Sequence, residues 1–152
     1  MIEVTRKALI LTVIASCSWI AASFGATIPS GTTLAVRTLD TIHSNDRVGR
    51  TFTAQLDQDV AVNGKLVFRA GTKFDGKIES SQANPFRSGP LVLNLTDVSV
   101  NGRTVPIKTV GGFQVQNLAM HAGARARGIT VGPFIAPHGL RMEFRLAQPV
   151  KL

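Results

Sequence analysis

From Thr27 onward, apolar and polar side chains alternate with a period of two, a pattern that fits a pleated strand and not a helix. Leu34 and Val36 alternate with Thr33, Ala35 and Arg37, and Phe52, Ala54 and Leu56 alternate with Thr51, Thr53 and Gln55. Phe74 and Ile78 bracket Gly76, with Lys73, Asp75, Lys77 and Glu79 on the other face. Leu91, Leu93 and Leu95 form a further stripe, and Leu140, Met142, Phe144 and Leu146 form the last, facing Arg141, Glu143 and Arg145. Each stripe predicts a half-buried strand with one wet face. No i, i+3, i+4 stripe competes between Thr27 and Ile107.

Turn chemistry orders these strands. Asn63-Gly64 and Asn101-Gly102 are the strongest short hairpin signals, because both residues of a type I′ turn need positive φ. Two-residue turns there place Val60 opposite Val67 and Val98 opposite Val105. The stripe at Leu91 to Leu95 changes phase before Val98 and Val100, which predicts a bulge near Asp97. A second turn recurs at Ile28-Pro29-Ser30-Gly31-Thr32, Phe68-Arg69-Ala70-Gly71-Thr72 and Ile135-Ala136-Pro137-His138-Gly139-Leu140, each time opening a strand. Its uneven spacing excludes a solenoid repeat. The expectation is an all-β fold, a small antiparallel barrel or sandwich of about seven to eight strands, whose closure removes exposed edges. The stretch 111–133 is glycine-rich and lacks a sustained apolar period. It reads as a flexible loop or a short, poorly formed helix from Asn117 to Arg127, placed before the last strand.

At 152 residues the chain suits one domain, and its N-terminus reads as an export signal. Arg6 and Lys7 precede a 15-residue apolar run from Ala8 to Ala22, shorter than the ~20 residues of a spanning helix, and Ser23, Gly25 and Ala26 follow. This assigns 1–26 to a signal peptide, cut after Ala26 or Gly25, and 27–152 to a single β-barrel-like domain. Ile14-Ala15-Ser16-Cys17 also has the form of a bacterial lipoprotein box, so lipidation of Cys17 is an alternative. Against it, the apolar run continues through Trp19, Ile20 and Ala22, where a polar tether belongs. Cleavage near Ala26 would leave a mature chain with no cysteine and no tryptophan, so its stability would come from its core.

The formal charge of +8 invites a nucleic-acid reading, and removing 1–26 still leaves 15 basic against 8 acidic residues. A nucleic-acid groove needs basic residues interleaved with exposed aromatics. Here Phe52, Phe68, Phe74 and Phe144 fall in apolar phases, which makes them core, so no nucleic-acid partner is expected. No Walker or Gly-x-Gly-x-x-Gly loop is present. His43, His121 and His138 lie far apart with no second ligand at metal spacing, so no metal or cofactor is expected. Asp40, His43 and Ser44 hold the letters of a triad, but five residues on one turn rarely set the base between nucleophile and orienter. They fit a loop in which Ser44, Asn45 and Asp46 bond to neighbouring backbone. Asp57 and Asp59 are the one carboxylate pair worth testing for a secreted hydrolase. Their close spacing and the lack of a sugar-stacking aromatic favour a solvated strand end.

The quoted turns carry a resemblance. Ile28-Pro29-Ser30-Gly31-Thr32, Ile42 with Ser44, Asp46 and Gly49, Phe52-Thr53-Ala54, Asp59-Val60, and Gly71-Thr72 with Gly76 run in step over about 50 residues with the opening half of a known β-barrel domain. That domain belongs to the type IV secretion and conjugation channel core protein. The chain is also similar to short exported bacterial proteins ending in a Phe-Arg-Leu-x-x-Pro strand, here Phe144 to Pro149. Arg69 stands where the channel family tends to have proline, and no proline-rich spacer or apolar insert for a pore is present. The resemblance implies a barrel-like envelope domain and brings no catalytic residues.

The expected function is therefore that of a non-enzymatic, exported, periplasmic or envelope-associated β-domain. Its expected partners are envelope proteins or anionic envelope polymers, with peripheral membrane association and a lipoprotein subunit of a secretion channel as further readings. The segment 111–133, with His121, Arg125 and Arg127, is the expected contact region.

Overall fold

The computed structural model describes residues 25–83, 90–115 and 135–152, and the architecture among them is all-β. The strands are β1 (Thr27–Ile28), β2 (Thr33–Thr38), β3 (Ile42–His43), β4 (Thr51–Leu56), β5 (Val60–Val62), β6 (Lys65–Phe68), β7 (Lys73–Ser80), β8 (Leu91–Val100), β9 (Arg103–Pro106), β10 (Phe113–Val115), β11 (Ile135–Ala136), β12 (Arg141–Arg145) and β13 (Val150–Lys151). The main sheet runs β10-β8-β7-β4-β2-β12 with β9 also on β8, and every pairing is antiparallel. Three short ladders, β1 with β13, β3 with β11 and β5 with β6, decorate it.

The sheet curls until its ends approach. Val110 N–H donates to the Arg145 carbonyl and Ala147 N–H to the Lys108 carbonyl, around a Thr109–Leu146 bridge. The rings of Phe113 on β10 and Phe144 on β12 meet at 6.2 Å between centroids. Inside, the period-two stripes supply the core: Leu34, Val36, Phe52, Ala54, Leu56, Phe74, Ile78, Leu91, Leu93, Leu95, Met142, Phe144 and Leu146 are all buried. β10 occupies the start of the stretch read as a loop. Phe113, Gln114 and Val115 alternate just enough to pair with Leu93, Val92 and Leu91. The rest of the 111–133 stretch, the residues 1–24 that include Cys17, and His121, Arg125 and Arg127 lie outside the described residues.

The hairpins follow the Asn-Gly signals, with Asn63 and Asn101 at φ 53° and 49°. Val98 faces Val105 as the two-residue turn requires. Val60, however, faces Phe68 and not Val67, because a bulge beside Val60 slips the register by one. The slip turns Phe68 into the core, where its ring meets Phe74 edge-on at 5.7 Å. The bulge predicted near Asp97 is present: Asp75 pairs with Asp97 while Gly76 pairs with Leu95, so Val98 rejoins the buried face. Gly76 is also a point of close approach, since a Cβ there would sit 2.4 Å from the Phe52 ring.

The recurrent turn closes in the same way each time. Gly31 N–H donates to the Leu146 carbonyl, and Leu146 N–H donates to Thr32, the residue after the glycine. Gly71 and Thr72 grip Leu56 in this manner, and Gly139 and Leu140 grip Thr38. Two residues opposing one, with the first a glycine at φ 82° to 87°, make a G1 bulge joined to a tight turn. A fourth copy, in which Gly49 and Arg50 grip Ile78, was not foreseen from the sequence.

Candidate functional site

Antiparallel order places the C-terminal ends of β2, β7 and β10 and the N-terminal ends of β4, β8 and β12 at one end of the barrel. The registers Thr38↔Ala54, Thr51↔Lys77, Val115↔Leu91 and Arg141↔Arg37 fix this alignment. The connections 39–50, 81–90 and 116–140 therefore all attach at this end. The part of the expected contact segment that follows β10 attaches there too: the described chain stops at Val115 and resumes at Ile135. The first and last strands, the cleft described below and both Asn-Gly hairpins sit at the opposite end.

The loop from Leu39 to Arg50 is built by polar side chains that satisfy backbone. Leu39 N–H donates to the Thr53 carbonyl at 2.8 Å, and the Asp40 carboxylate accepts the Thr53 N–H at 2.6 Å. Alternation through β3 buries Ile42 and Ser44 and leaves His43 exposed. Ser44 is thus buried, and its hydroxyl reaches a distant side chain where a bond to neighbouring backbone was expected. Its hydroxyl donates to Gln82 Oε1 at 3.0 Å, and Gln82 N–H returns a bond to the Ser44 carbonyl at 2.7 Å. Ser81 Oγ donates to the Asp46 carbonyl at 2.6 Å, so the loop is stapled to the chain leaving β7. Asp46 does bond to neighbouring backbone as expected, accepting His43 N–H at 2.7 Å, and it also takes the Arg50 guanidinium. The three letters of the triad therefore serve three different partners: Asp40 holds Thr53, His43 donates its N–H to Asp46, and Ser44 binds Gln82.

At the tip of this loop is the fourth turn, Arg47-Val48-Gly49-Arg50, closed by Arg50 N–H on the Arg47 carbonyl at 3.1 Å. Val48 is 53% exposed there, and Ile135, opposite His43 in the β3–β11 ladder, is 55% exposed. His138, at the second position of the Pro137 to Leu140 turn, is exposed at the same end. Sequence reasoning missed Val48 and its two arginines. The signal was available, since the glycine stands third in this tetrapeptide just as in the other three turns.

The carboxylate pair does structural work. Asp57 Oδ1 accepts Arg37 Nε at 2.5 Å, and Arg141 Nε lies 3.6 Å from Oδ2. The Arg37 hydrogen bond, followed by the charges of Arg37 and Arg141, outweighs partial burial and holds the Asp57 carboxyl below its ordinary value. Asp59 Oδ1 instead accepts Ala70 N–H at 2.7 Å and braces the Arg69 to Thr72 turn. Arg141, Arg37, Gln55 and Lys73 line up in register across four strands of the wet face, with Asp57 beside them.

Among the described residues no three His, Cys, Asp or Glu side chains are grouped so as to hold a metal ion. A shallow cleft of about 200 Å³ lies between Pro106, Ile107, Lys108, Gln148, Pro149 and Val150. That is below the roughly 300 to 1,000 Å³ of ordinary small-molecule sites. Neither protein-family models nor curated proteins yield a match to this chain.

Proposed function

We propose that this chain is an exported, non-enzymatic β-domain of a bacterial envelope that binds other envelope components through the loop-bearing end of its barrel. The observation that carries this reading is that connections 39–50, 81–90 and 116–140 all attach at that end. With them come Arg47, Arg50 and the two attachment points of the segment holding His121, Arg125 and Arg127. Loops on a rigid β scaffold are where binding residues concentrate. Arg6, Lys7 and the apolar run to Ala22 support export, and the resemblance to a secretion-channel barrel supports a place in an envelope assembly.

The test is expression of the full chain in a bacterial host with a photo-crosslinker at Arg47 or, separately, at Lys65 on the opposite end. The expected result is a periplasmic form whose mass begins at Ala26 or Thr27, with crosslinks to envelope components from Arg47 and not from Lys65. A cytoplasmic, uncut chain, or equal capture from both positions, overturns the reading. The Ile14 to Cys17 motif favours a second reading, a lipoprotein subunit of a secretion channel. Unchanged membrane fractionation of Cys17→Ser would argue against it.

A further inference from the structure

We propose that the Arg47-Val48-Gly49-Arg50 turn is a shallow interfacial anchor that seats the loop-bearing end on an anionic phospholipid bilayer. This rests on the reading that the end is a contact surface and names its partner.

The argument begins with an internal comparison. The same turn and glycine bulge occur four times, and the residue at the second position is Ser30, Ala70, His138 or Val48. Three small or polar side chains satisfy this geometry, so the fold does not require a branched apolar residue there. Val48 is nevertheless apolar and 53% exposed, and no core residue packs it away. Only this copy has an arginine on each side of the turn. A projecting apolar side chain between cations is the composition of an interfacial anchor: the apolar group enters the headgroup boundary and the cations meet phosphate.

The surroundings agree in polarity. Ile135 adds a second exposed apolar side chain in the neighbouring ladder. Asp46 takes part of the charge of Arg50 and so orients its guanidinium. Among the described residues the other two exposed large apolar side chains lie elsewhere: Leu66 on β6, and Val110 where the sheet ends meet with its N–H bonded to Arg145. The turn at Pro29 to Thr32, on the opposite end, presents Ser30 in place of valine and no arginine. Among the four equivalent turns, this one alone joins an exposed branched apolar side chain to two cations, and that is what would set the face turned toward a bilayer.

The test uses the full chain in a Cys17→Ser background, so that one introduced cysteine is the only thiol. An environment-sensitive fluorophore is placed at Val48→Cys or, as the geometric control, at Ser30→Cys. Vesicles of phosphatidylglycerol with phosphatidylcholine are compared with phosphatidylcholine alone. The expected result is a blue shift at position 48 with anionic vesicles only, and none at position 30. Arg47→Gln with Arg50→Gln should lower partitioning into anionic vesicles by about fivefold to twenty-fivefold, at roughly fivefold per cation near the surface. Val48→Ser, which copies the sister turn, keeps the fold and should also lower partitioning. No shift at position 48, or equal shifts at both positions or with both lipids, overturns the proposal. Crosslinks from Arg47 to an envelope protein, without vesicle binding, would overturn the lipid assignment while leaving the contact end in place.

Discussion

Asp57 shows how one side chain can look catalytic in a sequence and structural in the fold. Beside Asp59 it resembles half of a carboxylate pair, yet each carboxylate is spoken for: Asp57 by Arg37 and Arg141, Asp59 by the Ala70 amide. Neither bond could be read from the sequence, because Arg37 and Arg141 lie 20 and 84 positions away. The pairing has a pH signature. The folded-state pKa of Asp57 is lowered, so its contribution is present above the unfolded value of about 4 and is lost as pH falls through the lower folded value. In urea titrations, Asp57→Asn should unfold at lower denaturant than wild type near pH 6, and the gap should close toward pH 2. A gap independent of pH would mean that Asp57 acts through something other than its charge. Ser44 is the converse case, a polar residue that strand alternation carries into the core, where a hydrogen bond to Gln82, 38 positions away, helps make its burial tolerable.

Among the elements, the glycine turns are the most legible units, because three copies share a written pattern and their physics is local. A fourth escaped notice because Arg47 and Arg50 replace the usual proline and threonine. In each copy the glycine has φ between 82° and 88°, and a Cβ there meets nothing within 4 Å. Substitution by alanine therefore costs only the left-handed backbone penalty, about 1–2 kcal/mol. Gly31→Ala, Gly71→Ala and Gly139→Ala should lose that amount each and agree within about 0.5 kcal/mol by chemical denaturation. A spread of several kcal/mol would show that the copies are not equivalent. The β5–β6 hairpin marks the limit of local reasoning. Asn63-Gly64 sets the turn, but whether Val67 or Phe68 faces Val60 depends on the bulge, and Phe74, from another hairpin, is what rewards the choice of Phe68.

For the whole molecule, the decisive event is the approach of the two sheet ends. Leu146 sits at the junction: 1% exposed, gripped by Gly31 and Thr32, and bridged to Thr109. Leu146→Ala should cost about 2–5 kcal/mol, the range for a buried leucine. By hydrogen exchange, protection should fall in β10 and β12 together. Loss confined to β12 would mean that the ends fold independently. Antiparallel order also sorts the surface: connections 39–50, 81–90 and 116–140 attach at one end, and the first and last strands lie at the other. Alternation, Asn-Gly pairs and glycine positions determined by themselves that the described residues form an all-β fold, which stripes face the core and where most of the tight turns fall, because those signals act over two to four residues. The tertiary structure alone decided the Phe68 register, the burial of Ser44, the partners of Asp57 and the company kept by Val48. Each of these depends on contacts between residues far apart in the chain, and no local period encodes them.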